Sequence, residues 1–165
     1  MNETMENLEY VGFWPRVGAS IIDTILTLLV TVSLTYLVFG SHYWADPRFV
    51  KGPMDIAINW LLPLVVWVWL WRTWQATPGK MMIGARIVDA NTGQTLSIGQ
   101  CLIRYFAYIP AMLFFGLGLI WIAFDPRRQG WHDKLAGSVV VRAKDRSPSS
   151  VQFESSELSR KPPSL

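Results

Sequence analysis

One stretch of this sequence, from Phe13 to Phe39, limits what the chain can fold into more than any other. Between Val17 and Phe39 the only charged side chain is Asp23. About 20 apolar residues are enough for a helix to cross the roughly 30 Å hydrocarbon core of a bilayer. The stretch therefore predicts a transmembrane helix that contains a carboxylate. Such a group costs roughly 2.5–3.5 kcal/mol at mid-span, so we expect it to be paired or to lie on an ion pathway.

Arg16 lies near the start of the same stretch. It precedes Asp23 by nearly two helical turns, so both side chains project from one face, about 10 Å apart along the axis. Four hydroxyl side chains continue that face at helical spacing: Ser20, Thr27, Thr31 and Thr35. Because hydroxyl residues are common where membrane helices pack, this polar seam predicts contact with protein or water rather than lipid.

The composition is that of a membrane protein. Hydrophobic residues make up 51% of the 165 positions, with nine Trp and eight Phe. The net charge of +3 does not indicate nucleic-acid binding, because the basic residues flank apolar runs, where they set topology and meet anionic lipid headgroups. Cys101 is the only cysteine and the two histidines are far apart. We therefore expect neither a metal site nor a cofactor.

A second apolar run covers about residues 56–74. Pro63 lies inside it and lacks an N–H group, which leaves the carbonyl of Asn59 without its helical donor. Two interpretations are open, because neighbouring groups often satisfy such a carbonyl in a membrane helix. The kink can serve packing alone, or Asn59 can form a cation or proton site with Asp23.

The third apolar run, about 102–124, is interrupted by one proline and two glycines. Its length suits a single span, but these breakers also allow a re-entrant helix. Arg104 lies near its start, where a cation is costly unless paired. We therefore expect Arg104, or else Arg16, to pair with an acid from another element. The first candidates for the acid are Asp133 and Asp23.

The remaining segments are polar. Residues 83–89 alternate before a Gly turn and residues 138–142 are mostly β-branched, so both are typical of short strands. Gly79 and Lys80 are not part of a phosphate loop, because Trp stands where the motif requires its first glycine. Residues 1–9 and 143–165 are interpreted as tails, and the second, rich in Ser, Pro and charge, is expected to be disordered.

These patterns predict an all-α membrane protein with a domain over residues 10–142. It has about three transmembrane or membrane-embedded helices, near 13–39, 56–74 and 102–124, and short cytoplasmic strand-like segments. Three spans would place the N-terminus outside and the C-terminus in the cytoplasm. A re-entrant third run would place both termini in the cytoplasm and leave only Arg48 and Lys51, of 15 basic residues, outside.

Four motifs in order resemble the RDD family, small multi-pass bacterial membrane proteins named for one arginine and two aspartates. They are Gly12-Phe13-Trp14-Pro15-Arg16 running into Asp23; Thr77-Pro78-Gly79-Lys80 followed by Gly84 and Arg86-Ile87-Val88; Arg104; and His132-Asp133-Lys134-Leu135-Ala136-Gly137. The resemblance covers about residues 10–142. It maps the family's arginine on Arg16, the first aspartate on Asp23, and the second on Asp133 or, alternatively, Asp89. It implies an inner-membrane location and transport of unidentified ligands.

The expected function is transport of an ion or small ligand with Asp23 in the pathway. The alternative is a non-transporting membrane subunit that assembles with or stabilises another membrane complex. Two or three spans do not easily enclose a pathway, so both versions predict a homo-oligomer or a membrane-protein partner. Catalysis is not expected, because no nucleophile elbow or metal cluster is present. The candidate pathway or ion-pair residues are Arg16, Asp23, Asn59, Arg104 and Asp133.

Overall fold

The computed structural model describes residues 8–114 and 116–144, and its longest element is helix α1 (Phe13–Phe39). The second helical region covers Pro53–Met82. Within the described residues, these two regions are long and apolar enough to cross a membrane, and a bent pair of helices, Ile98–Leu113 and Leu117–Ala123, forms the third candidate. The prediction of a mostly helical membrane protein is confirmed, with two or three candidate spans.

The polar seam of α1 faces the protein over much of its length. The helix begins after Gly12 and ends at Gly40, whose positive φ of 67° directs the chain out of the helix. Its apolar side chains are mostly exposed, as a lipid-facing surface requires. The buried residues of the helix are Arg16, Ala19, Asp23, Thr31 and Thr35. Ser20, also assigned to the seam, is exposed.

The second helical region begins three residues before its predicted start. It consists of α2 (Pro53–Ile56), a π-helical turn (Ala57–Leu61), α3 (Leu62–Thr73) and α4 (Pro78–Met82). The π turn ends two residues before Pro63. Its wider hydrogen-bonding pattern compensates for the N–H group that proline lacks.

The single helix over 102–124 is not what the structure forms. Helix α5 (Ile98–Leu113) begins earlier because Ser97 and Gln100 form a capping box, in which each side chain bonds the other's backbone N–H. Gly116 then adopts a left-handed conformation, and α6 (Leu117–Ile120), continued by a 3-10 turn (Trp121–Ala123), leaves at 112°. The third run therefore bends back rather than running straight.

Three short strands form one antiparallel sheet in the order β1-β3-β2. They are β1 (Leu8–Tyr10), β2 (Ala85–Asp89) and β3 (Ser138–Ala143). Residues 8, 9 and 143, assigned from the sequence to tails, thus belong to the sheet. Apart from these and Lys144, the predicted tails fall on residues 1–7 and 145–165, which lie outside the described residues.

A small apolar core joins this sheet to the helices. Trp71 from α3, Ile87 from β2 and Val140 from β3 are all fully buried in it. The other members are Val11, Ala85, Leu96 and Cys101. Helices α3 and α5 contribute to this core, and α7 (Trp131–Leu135) packs on both α5 and β3, so the sheet positions α7 beside α5.

Candidate functional site

A buried ion-pair cluster joins α1, α5 and α7. Arg16 Nη1 donates to Asp133 Oδ2 at 2.6 Å, and Arg104 Nη1 donates to the other carboxylate oxygen, Oδ1. None of the three side chains is more than 5% exposed. The structure therefore brings together three of the five candidate residues, with one carboxylate shared by two guanidinium groups.

The surroundings of Asp133 hold this arrangement in place. The backbone N–H of Gly130 donates to Asp133 Oδ2 at 3.0 Å, and Arg104 also donates to Ser138 Oγ at 2.5 Å. The Arg104 guanidinium lies 5.4 Å from the Trp71 ring centre, within cation–π range. Burial alone would raise the pKa of Asp133, but the charges of Arg104 and Arg16 hold that pKa well below its usual range. The carboxylate is therefore ionised.

His132 lies next to this carboxylate but does not share its charge. Its ring stacks on Tyr108 with the two ring centres 4.0 Å apart, and its Nε2 is 3.5 Å from Asp133 Oδ1. Burial lowers the pKa of His132 to about 3 despite the attraction of Asp133. The imidazole is therefore neutral at physiological pH and adds no positive charge to the cluster.

Asp23 forms a second buried site, which docks the start of α4 on α1. Its Oδ2 accepts from Thr77 Oγ1 at 2.5 Å and its Oδ1 accepts from the Gly79 N–H at 2.7 Å. Lys80 Nζ lies 3.6 Å from Asp23 Oδ2, and both side chains are buried. Only glycine fits at position 79, because a Cβ there would lie 2.1 Å from the backbone oxygen of Ala19. Asp23 is thus the anchor of this loop and of Lys80.

Asn59 does not lie near Asp23, so the site proposed from these two residues is not formed. Its side chain contacts Asp55 Oδ1 at 2.7 Å and also Tyr43 and Thr35. Thr35 is twelve residues beyond Asp23 on α1, which is about 18 Å along a helix. Asn59 therefore belongs to a separate polar cluster at the other end of the helices.

Sequence reasoning missed the partners that complete these sites. They are Thr77, Lys80 and Ser138 near the ion pairs, and Tyr43 and Asp55 beside Asn59. For Lys80, the signal in the sequence is its place in Thr77-Pro78-Gly79-Lys80, a motif that lacks the spacing of a phosphate loop and precedes a predicted strand. Asp89, the alternative second aspartate, instead accepts from the backbone of the following turn and from Gln100, whose hydrogen bond lowers the pKa of Asp89 to about 2.

A cavity of about 290 Å³ lies against both sites, between α1, α5 and α6. Its polar wall is made by Arg16, Lys80, Arg104 and His132. Among the described residues, Nε and Nη2 of both arginines are buried and have no hydrogen-bond partner. Buried donors that lack acceptors are costly, and charged ones more so.

The charges around the cavity do not balance. In the part of the chain that the structure describes, three cations, Arg16, Lys80 and Arg104, face two carboxylates, Asp23 and Asp133. A small anion at this wall would offset the excess charge. The geometry is therefore suited to holding an anionic group.

Comparison with known proteins identifies relatives over most of the chain. A family model described as the RDD family matches residues 10–137. "Uncharacterized protein YxaI" of Bacillus subtilis (strain 168) is 30% identical over 146 residues, which cover 79% of this chain and 95% of that protein. "Uncharacterized membrane protein YteJ" of the same organism is 26% identical over 142 residues, covering 82% of each chain. No solved structure matches.

Proposed function

The chain belongs to the RDD family, and from that premise we propose that this membrane protein is a multi-pass protein of the bacterial inner membrane that transports an ion or small ligand. The observation that supports this most is the cavity beside the buried cluster, which Arg16, Lys80 and Arg104 help to line. Ionisable groups inside a membrane domain typically line substrate or ion pathways. Asp23 acts on this pathway through Lys80, which it holds at the cavity wall.

The proposed topology has two full spans, with the bent pair entering and leaving on one side. All three strands of the sheet must lie on the same side, because a sheet cannot straddle the hydrocarbon core. β1 precedes the first span, β2 follows the second and β3 follows the bent pair. The condition is met if the chain crosses the membrane twice between β1 and β2 and returns to the same side between β2 and β3. The positive-inside rule favours the cytoplasm for the sheet.

Thiol labelling tests this topology with single cysteines at exposed positions in a Cys101→Ala background. Gln94 and Lys144, on either side of the bent pair, should be labelled from the cytoplasmic side. Ser41, between the two spans, should be labelled from outside. Labelling of positions 94 and 144 from opposite sides would mean that the third run crosses the membrane once.

The second candidate function is a non-transporting subunit that assembles with or stabilises another membrane complex. It is favoured by the large lipid-facing area of the two long helices, whose apolar side chains are mostly exposed, as in Ile21, Leu29 and Leu37. Two spans do not enclose a pathway alone. Both functions therefore include a homo-oligomer or a membrane-protein partner.

Asp23→Asn separates these functions. The amide keeps the size of the side chain but loses the ion pair with Lys80, so the cavity wall is displaced. In liposomes, we expect a loss of at least tenfold in flux, measured for protons, potassium, chloride and phosphate. Asp55→Asn is the matched control, because Asp55 is equally buried but lies in the separate cluster near Tyr43.

The comparison is made at equal amounts of folded protein. Unchanged flux together with loss of an oligomer or a co-purified membrane protein would favour the subunit. Absence of flux for all four ions in the unsubstituted protein would contradict ion transport.

A further inference from the structure

We infer that the occupant of the cavity is one molecule of an anionic membrane lipid, whose headgroup contacts the Arg16, Lys80 and Arg104 wall. This inference rests on the proposed function only in that it names the ligand of the same cavity. Three features of the cavity support it: its donors, the position of its rim and its continuation into a larger groove.

The donors lie at one end. Arg16 is 4% exposed and Arg104 is fully buried, and both line the cavity. Each has Nη1 engaged by Asp133, and within the described residues Nε and Nη2 of each have no hydrogen-bond partner. Lys80 lies at the same end, so a headgroup there meets three cations, and phosphate and carboxylate groups are the ligands that such side chains bind.

The rim lies on the lipid-facing side. Ile21 and Ile25 line the cavity and are more than half exposed on α1, one and two turns beyond Val17. The wall opposite is also apolar, with Leu119 and Ile122. A ligand that enters here comes through the membrane and meets apolar side chains before it meets the arginines.

The cavity continues into a groove of about 1010 Å³ between α1, α3 and α5. The two share Ser20, Thr24, Lys80, Tyr108 and Leu119 as lining residues. Apart from Thr27, the rest of the groove is lined by apolar and aromatic side chains, including Leu28, Trp60 and Ile109. A long apolar groove with cations at one end is complementary to an acyl chain with an anionic headgroup.

The charge excess also selects among lipids. A zwitterionic headgroup would bring a quaternary ammonium close to three cations, which two carboxylates offset within the described part of the chain. An anionic headgroup brings no such repulsion. We therefore expect phosphatidylglycerol to bind at least tenfold more tightly than phosphatidylcholine with the same acyl chains.

The test uses the purified full-length protein in mild detergent, stripped of lipid, and native mass spectrometry with each phospholipid and with inorganic phosphate. Thr24→Phe places a ring at the wall that the cavity and the groove share. The substitution removes the Thr24 hydroxyl, which donates to the carbonyl of Ser20 within α1. It should reduce phosphatidylglycerol retention at least tenfold. Ser33→Phe is the matched control, because Ser33 is exposed on the same helix and lines neither space.

Selective retention of phosphatidylglycerol, lost in Thr24→Phe and kept in Ser33→Phe, supports the inference. Equal retention of both phospholipids, or retention unaffected by Thr24→Phe, overturns it. Binding of inorganic phosphate as tight as that of the lipid also overturns it, because the acyl groove then contributes nothing. Retention is scored separately from flux, so lipid binding without ion flux contradicts only ion transport, and flux without selective lipid retention contradicts only this inference.

Discussion

Asp133→Asn should remove most of the folded protein from the membrane. The substitution leaves the buried Arg16 and Arg104 guanidinium groups next to each other with no carboxylate between them. Removing one partner of a buried ion pair typically costs about 3–5 kcal/mol, and here a single change breaks two pairs. Because whole domains are stable by only about 5–15 kcal/mol, we expect a large fall in yield and in Tm, measured by detergent size-exclusion with a fluorescent fusion.

The matched control is Asp46→Asn. Asp46 also bonds an arginine, Arg48, but that pair lies in a loop where the Arg48 side chain is 69% exposed. Exposed pairs contribute little, so yield and Tm should match those of the unsubstituted protein. A normal Tm for Asp133→Asn would mean that the cluster is hydrated and that the arginines do not depend on this carboxylate.

Gly79→Ala should separate α4 from α1. The added Cβ would lie 2.1 Å from the Ala19 backbone oxygen and 3.0 Å from Asp23 Oδ1. The first clash joins the backbones of α1 and α4, so it is relieved only if one of these helices moves. Overpacking typically costs about 1–3 kcal/mol. The displacement also lengthens the bonds that Asp23 accepts from Thr77 and Gly79. We therefore expect a lower Tm and the same loss of lipid retention as in Thr24→Phe, because Lys80 leaves the cavity wall.

Gly18→Ala is the control for this substitution. Gly18 lies in α1, and a Cβ there would meet no atom within 4 Å. Since alanine is favoured over glycine inside a helix by roughly 0.5–1 kcal/mol, Tm should stay the same or rise. If both alanine variants behave alike, the close approach of α4 to α1 does not determine stability.

The first helix could be predicted from the sequence, whereas the pairing of its charges could not. A continuous apolar run that follows Pro15 and ends at Gly40 defines α1 by local chemistry alone. The same run predicts that Arg16 and Asp23 need partners. Which partners they find depends on how helices approach in space, and Arg16 and Asp133 are 117 residues apart in sequence.

The third run shows a similar limit. The start of α5 could be predicted from the sequence, because Ser97 followed three residues later by Gln100 is typical of a helix N-terminus. The glycines of the third run predict an interruption but not the direction of the bend. That direction depends on contact, since Gly118 packs against Ala111 and Trp131 so closely that a Cβ would lie 2.7 Å from the Ala111 side chain.

The position of β3 in the centre of the sheet sets an order for biogenesis. β1 and β2 both pair with β3, which is the last strand to be synthesised. Arg16, Arg104 and β1 therefore enter the membrane or its surface before their partners exist. At about 5–20 residues per second, Asp133 follows Arg16, 117 positions earlier, after roughly 6–23 s. During that interval the nascent chain exposes an unpaired strand edge and an uncompensated cation, so it is the growing polypeptide, rather than the finished protein, that most needs the insertion machinery.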